Sequence, residues 1–394
     1  MSARLPFLSA KLQGLGTTIF GEMSALAVAT NSVNLGQGFP DTDGPREVLD
    51  AAIAAINGGQ NQYPPLIGVP ALREAVVEHQ QRFYGMQFDP ATEVLITCGA
   101  SEALASILIG LLDTGDEVIT FEPTYDMYAA CSAMSGATIR PVTLHPPAYA
   151  ADLDEVRHAV NGRTKLILLN TPHNPTGKVF TRDELQGIAD IAIEHDLIVV
   201  TDEVYEHLVF DGLQHTPIAT LPGMRERTLT ISSGGKTFNT TGWKVGWIVG
   251  PAALVAAART AKQYLTYVHS GPFQPAIAAG LRLGDQFFAD IATDLQGKRD
   301  RLCAGLVEAG FEVFQPKATY FVTVDIRGLR PDGDGYQFCR ELPHTCGVVA
   351  IPNEVFYTDP RRGRHLVRFA FCKRLDVLDE AVSRLKGLAT AGGR

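Results

Sequence analysis

The hydrophobic positions of this chain gather in short runs that mostly lack alternation. Seven recur through its middle: VLITC (94–98), EVITF (117–121), TIRPVTL (138–144), KLILL (165–169), LIVVT (197–201), TLTIS (228–232) and GWIVG (246–250). Runs so rich in Val, Ile, Leu and Thr predict strands buried on both faces, as in a parallel sheet. Helical patterns lie between many of them. Ala100–Leu112 follows the first run, and Asp183–His195 follows a capping box formed by Thr181 and Glu184. The alternation predicts an open α/β sheet with helices on both faces.

After about Pro272 the pattern changes. Asp285–Gly310 reads as a long charged helix. Short strands follow in FEVFQ and TYFVTVDI, then a Gly/Asp-rich turn at Asp332–Gly335, a strand near Leu366–Phe371 and a last helix at Asp376–Leu388. This is an α+β segment. The first 40 residues do not fit the doubly wound pattern and are expected to pack with it. The tail, AGGR, is expected to fray.

Composition narrows the classes. A chain of 394 residues can bury a large core without disulfide or metal staples. Its 38 Gly and 23 Pro fall well short of low complexity. A net charge of −9 with no Lys/Arg block argues against nucleic acid and membrane surfaces as partners. The six Cys, at 98, 131, 303, 339, 346 and 372, show no C-x-x-C and read as reduced thiols of a cytoplasmic protein. No secretory h-region opens the chain and no apolar run is long enough to span a membrane.

The chemistry gathers at the strand ends, where open α/β sheets bind ligands. VLITC runs into Gly99-Ala100-Ser101 and a helix. KLILL ends in Asn170 and Thr171-Pro172-His173-Asn174-Pro175-Thr176-Gly177. LIVVT ends in Asp202-Glu203-Val204-Tyr205, and TLTIS in Ser232-Ser233-Gly234-Gly235-Lys236-Thr237. Such a set could hold a phosphate, a ring nitrogen and a carbonyl carbon. It is not a P-loop, because Thr230 stands where the first glycine belongs. Gly36-Gln37-Gly38 is not a dinucleotide fingerprint, because Asp41 replaces its third glycine. No H-E-x-x-H or clustered His/Cys pattern supports a metal.

In order and spacing, VNLGQGFPD (33–41), NQYPP (61–65), NTPHNPTGKV (170–179), TDEVYEHLVF (201–210), SSGGKTFNTTGWKVGW (232–247) and HLVRFAFCK (365–373) resemble the fold type I, class I/II aminotransferases that use pyridoxal 5′-phosphate. The resemblance covers nearly the whole chain. It is strongest to the branch of kynurenine, glutamine, methionine and N-succinyldiaminopimelate aminotransferases, and most of all to the last. It implies a large cofactor domain, 45–284, and a small domain built from 1–44 with 285–394.

The resemblance also implies roles. Lys236 holds the cofactor, is released by substrate and then carries a proton between substrate and cofactor; Gly234-Gly235 lets the backbone approach the ligand. Asp202 pairs with the ring nitrogen. Tyr205 and Asn174 reach the ring hydroxyl, Tyr125 stacks on the ring, and Asn170 supports from behind. Gly99, Ala100, Ser101, Ser233 and Lys244 cradle the phosphate, with Lys244 standing where many relatives carry Arg. Arg368, helped by Asn174 and the backbone at Gly36, binds the substrate carboxylate. Tyr63 reaches the phosphate of a neighbouring copy in a homodimer with shared active sites. His173 and His207 read as packing residues, and His269 as a candidate for the substrate pocket. Arg361, Arg362 and Arg364 are candidates for a second carboxylate.

The implied reaction is ping-pong transfer of an amino group between an amino acid and a 2-oxo acid. The implied substrate is N-succinyl-LL-2,6-diaminopimelate, with 2-oxoglutarate or glutamate as partner, in lysine biosynthesis. The alternatives are glutamine, methionine or kynurenine as substrate, with β-lyase activity on cysteine conjugates. From other classes come a lyase of the same cofactor and a non-enzymatic regulator. No DNA-binding segment accompanies the chain to favour the regulator.

Overall fold

The computed structural model describes residues 6–13, 15 and 18–391. The tail expected to fray lies almost wholly outside this range. All seven predicted strands form one sheet: β1 (Val94–Cys98), β2 (Glu117–Glu122), β3 (Thr138–Thr143), β4 (Thr164–Asn170), β5 (Ile198–Asp202), β6 (Thr228–Ser233) and β7 (Val245–Val249). Their order is β1-β7-β6-β5-β4-β2-β3. Every pairing is parallel except those of β7, which runs antiparallel to both its neighbours.

Period-two alternation sorts each strand's side chains between two cores. Leu166 and Leu168 pack on one face with Leu104, Ile107 and Val255. Ile167 and Leu169 pack on the other with Leu185 and Ile188. Both faces are covered, so each such side chain contributes roughly 1.5–3 kcal/mol by leaving water. The exception is β3. Thr138 and Arg140 point outward there, because β3 is an edge strand. Pro141 sits in it at no cost to a central ladder.

The capping box forms as read. Thr181 and Glu184 satisfy each other's backbone at the start of helix Arg182–Glu194. Helices Gly99–Leu111 and Asp285–Glu308 match their predicted spans within two residues. The Gly/Asp turn does more than predicted. Asp334 caps a helix, Gly335–Thr345, by accepting from the Gln337 amide. Its interior Pro343 and short apolar face hid it from the sequence pattern.

The C-terminal part holds an antiparallel sheet of β8 (Glu312–Phe314), β9 (Phe321–Asp325), β10 (Ile351–Pro352) and β11 (Leu366–Ala370), ordered β10-β11-β9-β8. Met23, Ala27 and Leu35 share its core with Leu306, Val322 and Leu378. Val33 and Asn34 pair in parallel with Val348 and Val349. All six cysteines are unpaired. Among the described residues no helix is long and apolar enough to cross a membrane.

Candidate active site

The carboxyl ends of β1, β4, β5 and β6 open on one cavity of about 390 Å³, closed from the other side by residues 20 and 37–39 and by Phe321 and Arg368. At its floor, Gly99 turns the chain from β1 into helix Gly99–Leu111 with φ +67. A side chain here would be strained, and its Cβ would come within 3.3 Å of the Lys244 ammonium. The first amides of that helix have no intrahelical partner and favour an anion. Lys244 donates to Ser101 Oγ at 3.2 Å, and Ser233 at the end of β6 faces the same space. Gly99, Ala100, Ser101, Ser233 and Lys244 thus form one cup for an anion.

Lys236 follows β6 and extends into the cavity. Its Nζ donates to Tyr320 Oη at 2.9 Å, and Tyr320 donates to the Gly38 carbonyl at 2.7 Å. Burial pulls the amine down to about 8, although the nearby Asp202 opposes that shift. A neutral, nucleophilic amine is therefore available close to neutral pH. The rate at which an added aldehyde condenses with Lys236 should rise about tenfold per pH step below about 8 and level off above it. Stopped-flow absorbance measures this, and a rate that keeps rising to pH 10 would refute a depressed amine.

The Gly234-Gly235 pair has a different reason from the one predicted. A Cβ on Gly234 would meet Ile277 Cδ1 at 2.7 Å, and one on Gly235 would meet the Thr241 backbone at 3.0 Å. The close approach is of chain to chain. Only Gly235 also lines the cavity.

Asp202 ends β5 in a buried position. Its carboxylate accepts from Tyr128 Oη at 2.9 Å and from the Val204 amide at 3.3 Å. Burial pushes it up to about 6, against the pull of those bonds. Its hydrogen-bond donors are neutral, so a cationic group in the cavity would stabilise its charged form. Tyr205 is buried edge-on to Tyr320, with centroids 5.2 Å apart. Tyr125 borders the cavity, and burial pushes its phenol up to about 12. Asn170 supports from behind: it donates to the Asp202 carbonyl at 2.9 Å and accepts from the Asn174 amide at 2.8 Å.

Arg368 lies on β11, 1% exposed. It donates to Asn174 Oδ1 at 3.0 Å and to the Gly36 carbonyl at 3.2 Å, and it lies 4.0 Å over the Phe321 ring. Its Nε has no partner. Among the described residues no acid forms an ion pair with it. A buried guanidinium with only neutral partners and a free donor is arranged for an incoming carboxylate.

Tyr63, expected to reach a neighbouring copy, is 83% exposed and meets the Tyr267 ring outside this chain's cavity. Two sequence readings land elsewhere. His269 bonds to the Trp243 carbonyl rather than lining the cavity. Arg361, Arg362 and Arg364 are engaged outside it, by Asp359, by Thr143 with Glu122, and by Asp334. The cations of the cavity wall are Lys236, Lys244 and Arg368.

The fold also collects groups the sequence reading missed. Tyr128 is one, three residues after Tyr125 and so on the same helical side. Tyr320 is another; only its place in a strand pattern hinted at it. Behind the site, His79, Glu206 and His207 come within 4.8 Å of one another. The two imidazole Nε2 atoms bond at 2.6 Å, and Glu206 accepts from Tyr84 and Ser232, while His79 Nδ1 has no partner among the described residues.

Comparison with known proteins agrees with this geometry. The family model for aminotransferase class I and II matches residues 30–385. A probable N-succinyldiaminopimelate aminotransferase of Mycobacterium tuberculosis is 51% identical over 96% of this chain and 98% of its own. The methionine aminotransferase of Escherichia coli is 40% identical over 96% and 97%. The solved structure of the N-succinyldiaminopimelate aminotransferase from Mycobacterium tuberculosis superimposes with a TM-score of 0.95, covering 97% of this chain and all of that one. The chain therefore belongs to the class I and II aminotransferases, enzymes that transfer amino groups between amino acids and oxo acids.

Proposed function

We propose that this aminotransferase uses pyridoxal 5′-phosphate, works as a homodimer and acts on N-succinyl-LL-2,6-diaminopimelate with 2-oxoglutarate. The observation that carries the cofactor reading is the donor set of one cavity. A depressed amine at Lys236, a buried carboxylate with neutral donors at Asp202 and a cationic anion cup at Lys244 match an aldehyde, a ring nitrogen and a phosphate monoester. Gly99, Ala100, Ser101, Ser233 and Lys244 would hold the phosphate, Asp202 the ring nitrogen, Tyr205 and Asn174 the ring hydroxyl, and Tyr125 the ring face. When bound, the cofactor supplies an electron sink for the pair left at the substrate Cα and a temporary carrier for the nitrogen.

The protein's own groups do the rest. Arg368 and Asn174 fix the substrate carboxylate, which aims the Cα–H bond at Lys236. The Lys236 amine would take the proton from the substrate Cα and return one to the cofactor's aldehyde carbon, on the far side of the transferred nitrogen, while Tyr320 holds Nζ in the cavity. Phe20, Phe39 and Phe321 on the cavity wall limit water around the exchanging proton.

Lys244 remains exposed in the single chain, so the anion cup is open on one side. Tyr63, together with the exposed Tyr264 and Tyr267, supports a second copy reaching over that side. The shared core of residues 23–35 with 302–385 supports two domains, 45–284 and 1–44 with 285–394.

The substrate rests on the 51% identical relative. A second reading, a methionine, glutamine or kynurenine aminotransferase with β-lyase activity, is favoured by the aromatic outer wall, which offers no fourth cation for a distal carboxylate. A substrate panel decides. kcat/KM for the succinylated substrate should exceed that for methionine by at least about tenfold, or 1.4 kcal/mol of transition-state discrimination. Equal values would transfer the assignment to the second reading.

A further inference from the structure

Lys262 is a lysine the reaction does not use, yet it is 1% exposed. Its ammonium donates to the carbonyls of Leu66, at 3.2 Å, and Tyr267, at 2.5 Å. Those carbonyls belong to two separate loops, one carrying Tyr63 and the other carrying Tyr264–Ser270. Gln274, equally buried, joins the same loops by accepting from the Val69 amide at 2.8 Å and donating to the His269 carbonyl at 2.5 Å. The rings of Tyr63 and Tyr267 touch edge to face at the outer end of this double loop.

Glu102 faces the same junction, and its negative charge raises the Lys262 amine against the effect of burial. Glu102 is itself 7% exposed and sits one residue beyond Ser101, in the first turn of the anion-binding helix. It accepts from the Cys98 amide at 2.6 Å and from the Thr266 hydroxyl. On the opposite flank, His269 and Ser270 bond to the Trp243 carbonyl, one residue before Lys244. The double loop is therefore fastened to both halves of the anion cup, the helix start and the Lys244 turn. Lys262 reaches both loops at once, and it meets them through backbone groups, whose positions no side-chain rotation can relax.

We propose that Lys262 is a positioning residue for phosphate binding: it locks the Tyr63 and Tyr267 loops together beside the helix start and the Lys244 turn, and so sets the shape of the anion cup without touching the ligand. The proposal rests on the cofactor reading above. Removing the ammonium leaves the Leu66 and Tyr267 carbonyls without this donor, so both loops are released together.

The test uses the full chain with native Lys262, Lys262→Met and Lys262→Arg. Trp243 lies beside the cup, so tryptophan fluorescence can follow titration with pyridoxal 5′-phosphate and with inorganic phosphate. Lys262→Met should bind both at least tenfold more weakly, and Lys262→Arg should recover part of the loss. In cofactor-free protein the pH dependence of Lys236 condensation with an added small aldehyde should be unchanged, which a general loosening of the cavity would not allow. Hydrogen exchange gives a second readout: the Cys98, Gly68 and Tyr267 amides should lose protection in Lys262→Met.

Where Lys262→Met does not fold, Thr266→Val tests the same junction, with a smaller loss of affinity and of Cys98 protection expected. Unchanged protection of all three amides, or phosphate affinity within twofold of native in a folded variant, overturns the role of Lys262. A native chain that binds no phosphate monoester overturns the cofactor reading instead, and the exchange result still decides whether Lys262 locks the loops.

Discussion

Replacing Lys236 with alanine should reduce turnover by at least roughly 10⁴-fold, the upper range for loss of a positioned general acid and base. The visible absorption that native protein develops with pyridoxal 5′-phosphate should disappear with it. The same substitution should not harm the cofactor-free fold. Keeping that amine charged in a buried cavity opposes folding by about 3 kcal/mol, as its fall from 10.5 to about 8 implies. The sign follows from proton counts. Between about 8 and 10.5 the unfolded chain binds more protons than the native one, so native stability rises with pH over that window. Below about 8 the full penalty applies. Lys236→Ala should therefore melt above the native protein at pH 7, with the gap closing toward pH 10. Calorimetry across pH measures this. A variant that keeps the absorption band or turns over within tenfold of native would remove the amine from the reaction.

Arg368 should show the second large effect. Arg368→Gln removes the one buried guanidinium that faces the substrate space among the described residues, and kcat/KM for amino acids should fall by about 10²–10³-fold, the loss typical of truncating one partner of a buried charged pair. Arg368→Lys keeps a charge but not the planar fork and should recover only part of it. The diagnostic comparison uses amines without an α-carboxylate. Native enzyme should discriminate strongly against them, and Arg368→Gln should hardly discriminate at all. An equal loss on both substrate types would mean that the substitution has damaged the cavity rather than the carboxylate grip.

What could be read in the sequence follows from what must be local. Asp202 ends an apolar strand, and Asn174 and Lys236 stand within four residues of the end of one, so pattern and position point to the same place. The same holds for the Gly99–Ser101 junction. Arg368 was legible for a related reason, since a charge inside LVRFAF demands a buried partner. Tyr128 and Tyr320 were not legible. Their sites look like ordinary core aromatics, and their value lies in a hydroxyl that meets Asp202 or Lys236 across the fold. The arginines at 361, 362 and 364 show the converse. Their spacing suggested a carboxylate site, but nearby acids engage them, and only three-dimensional distance reveals it. Lys262 also escaped notice, because a lysine at a helix end normally reads as solvated.

The bond between Arg368 and the Gly36 carbonyl joins positions 332 residues apart. That distance has a meaning during synthesis on the ribosome. The strand that leads to Lys236 is made long before Arg368, and at typical elongation rates the interval is of order ten seconds. Throughout it, the nascent polypeptide carries Lys236 without the Tyr320, Phe321 and Arg368 wall that buries it. The amine is then an ordinary exposed lysine, protonated at neutral pH. Completion of translation is itself the step that makes the enzyme both reactive and selective, and any product truncated before Tyr320 would have neither the depressed amine nor the carboxylate grip.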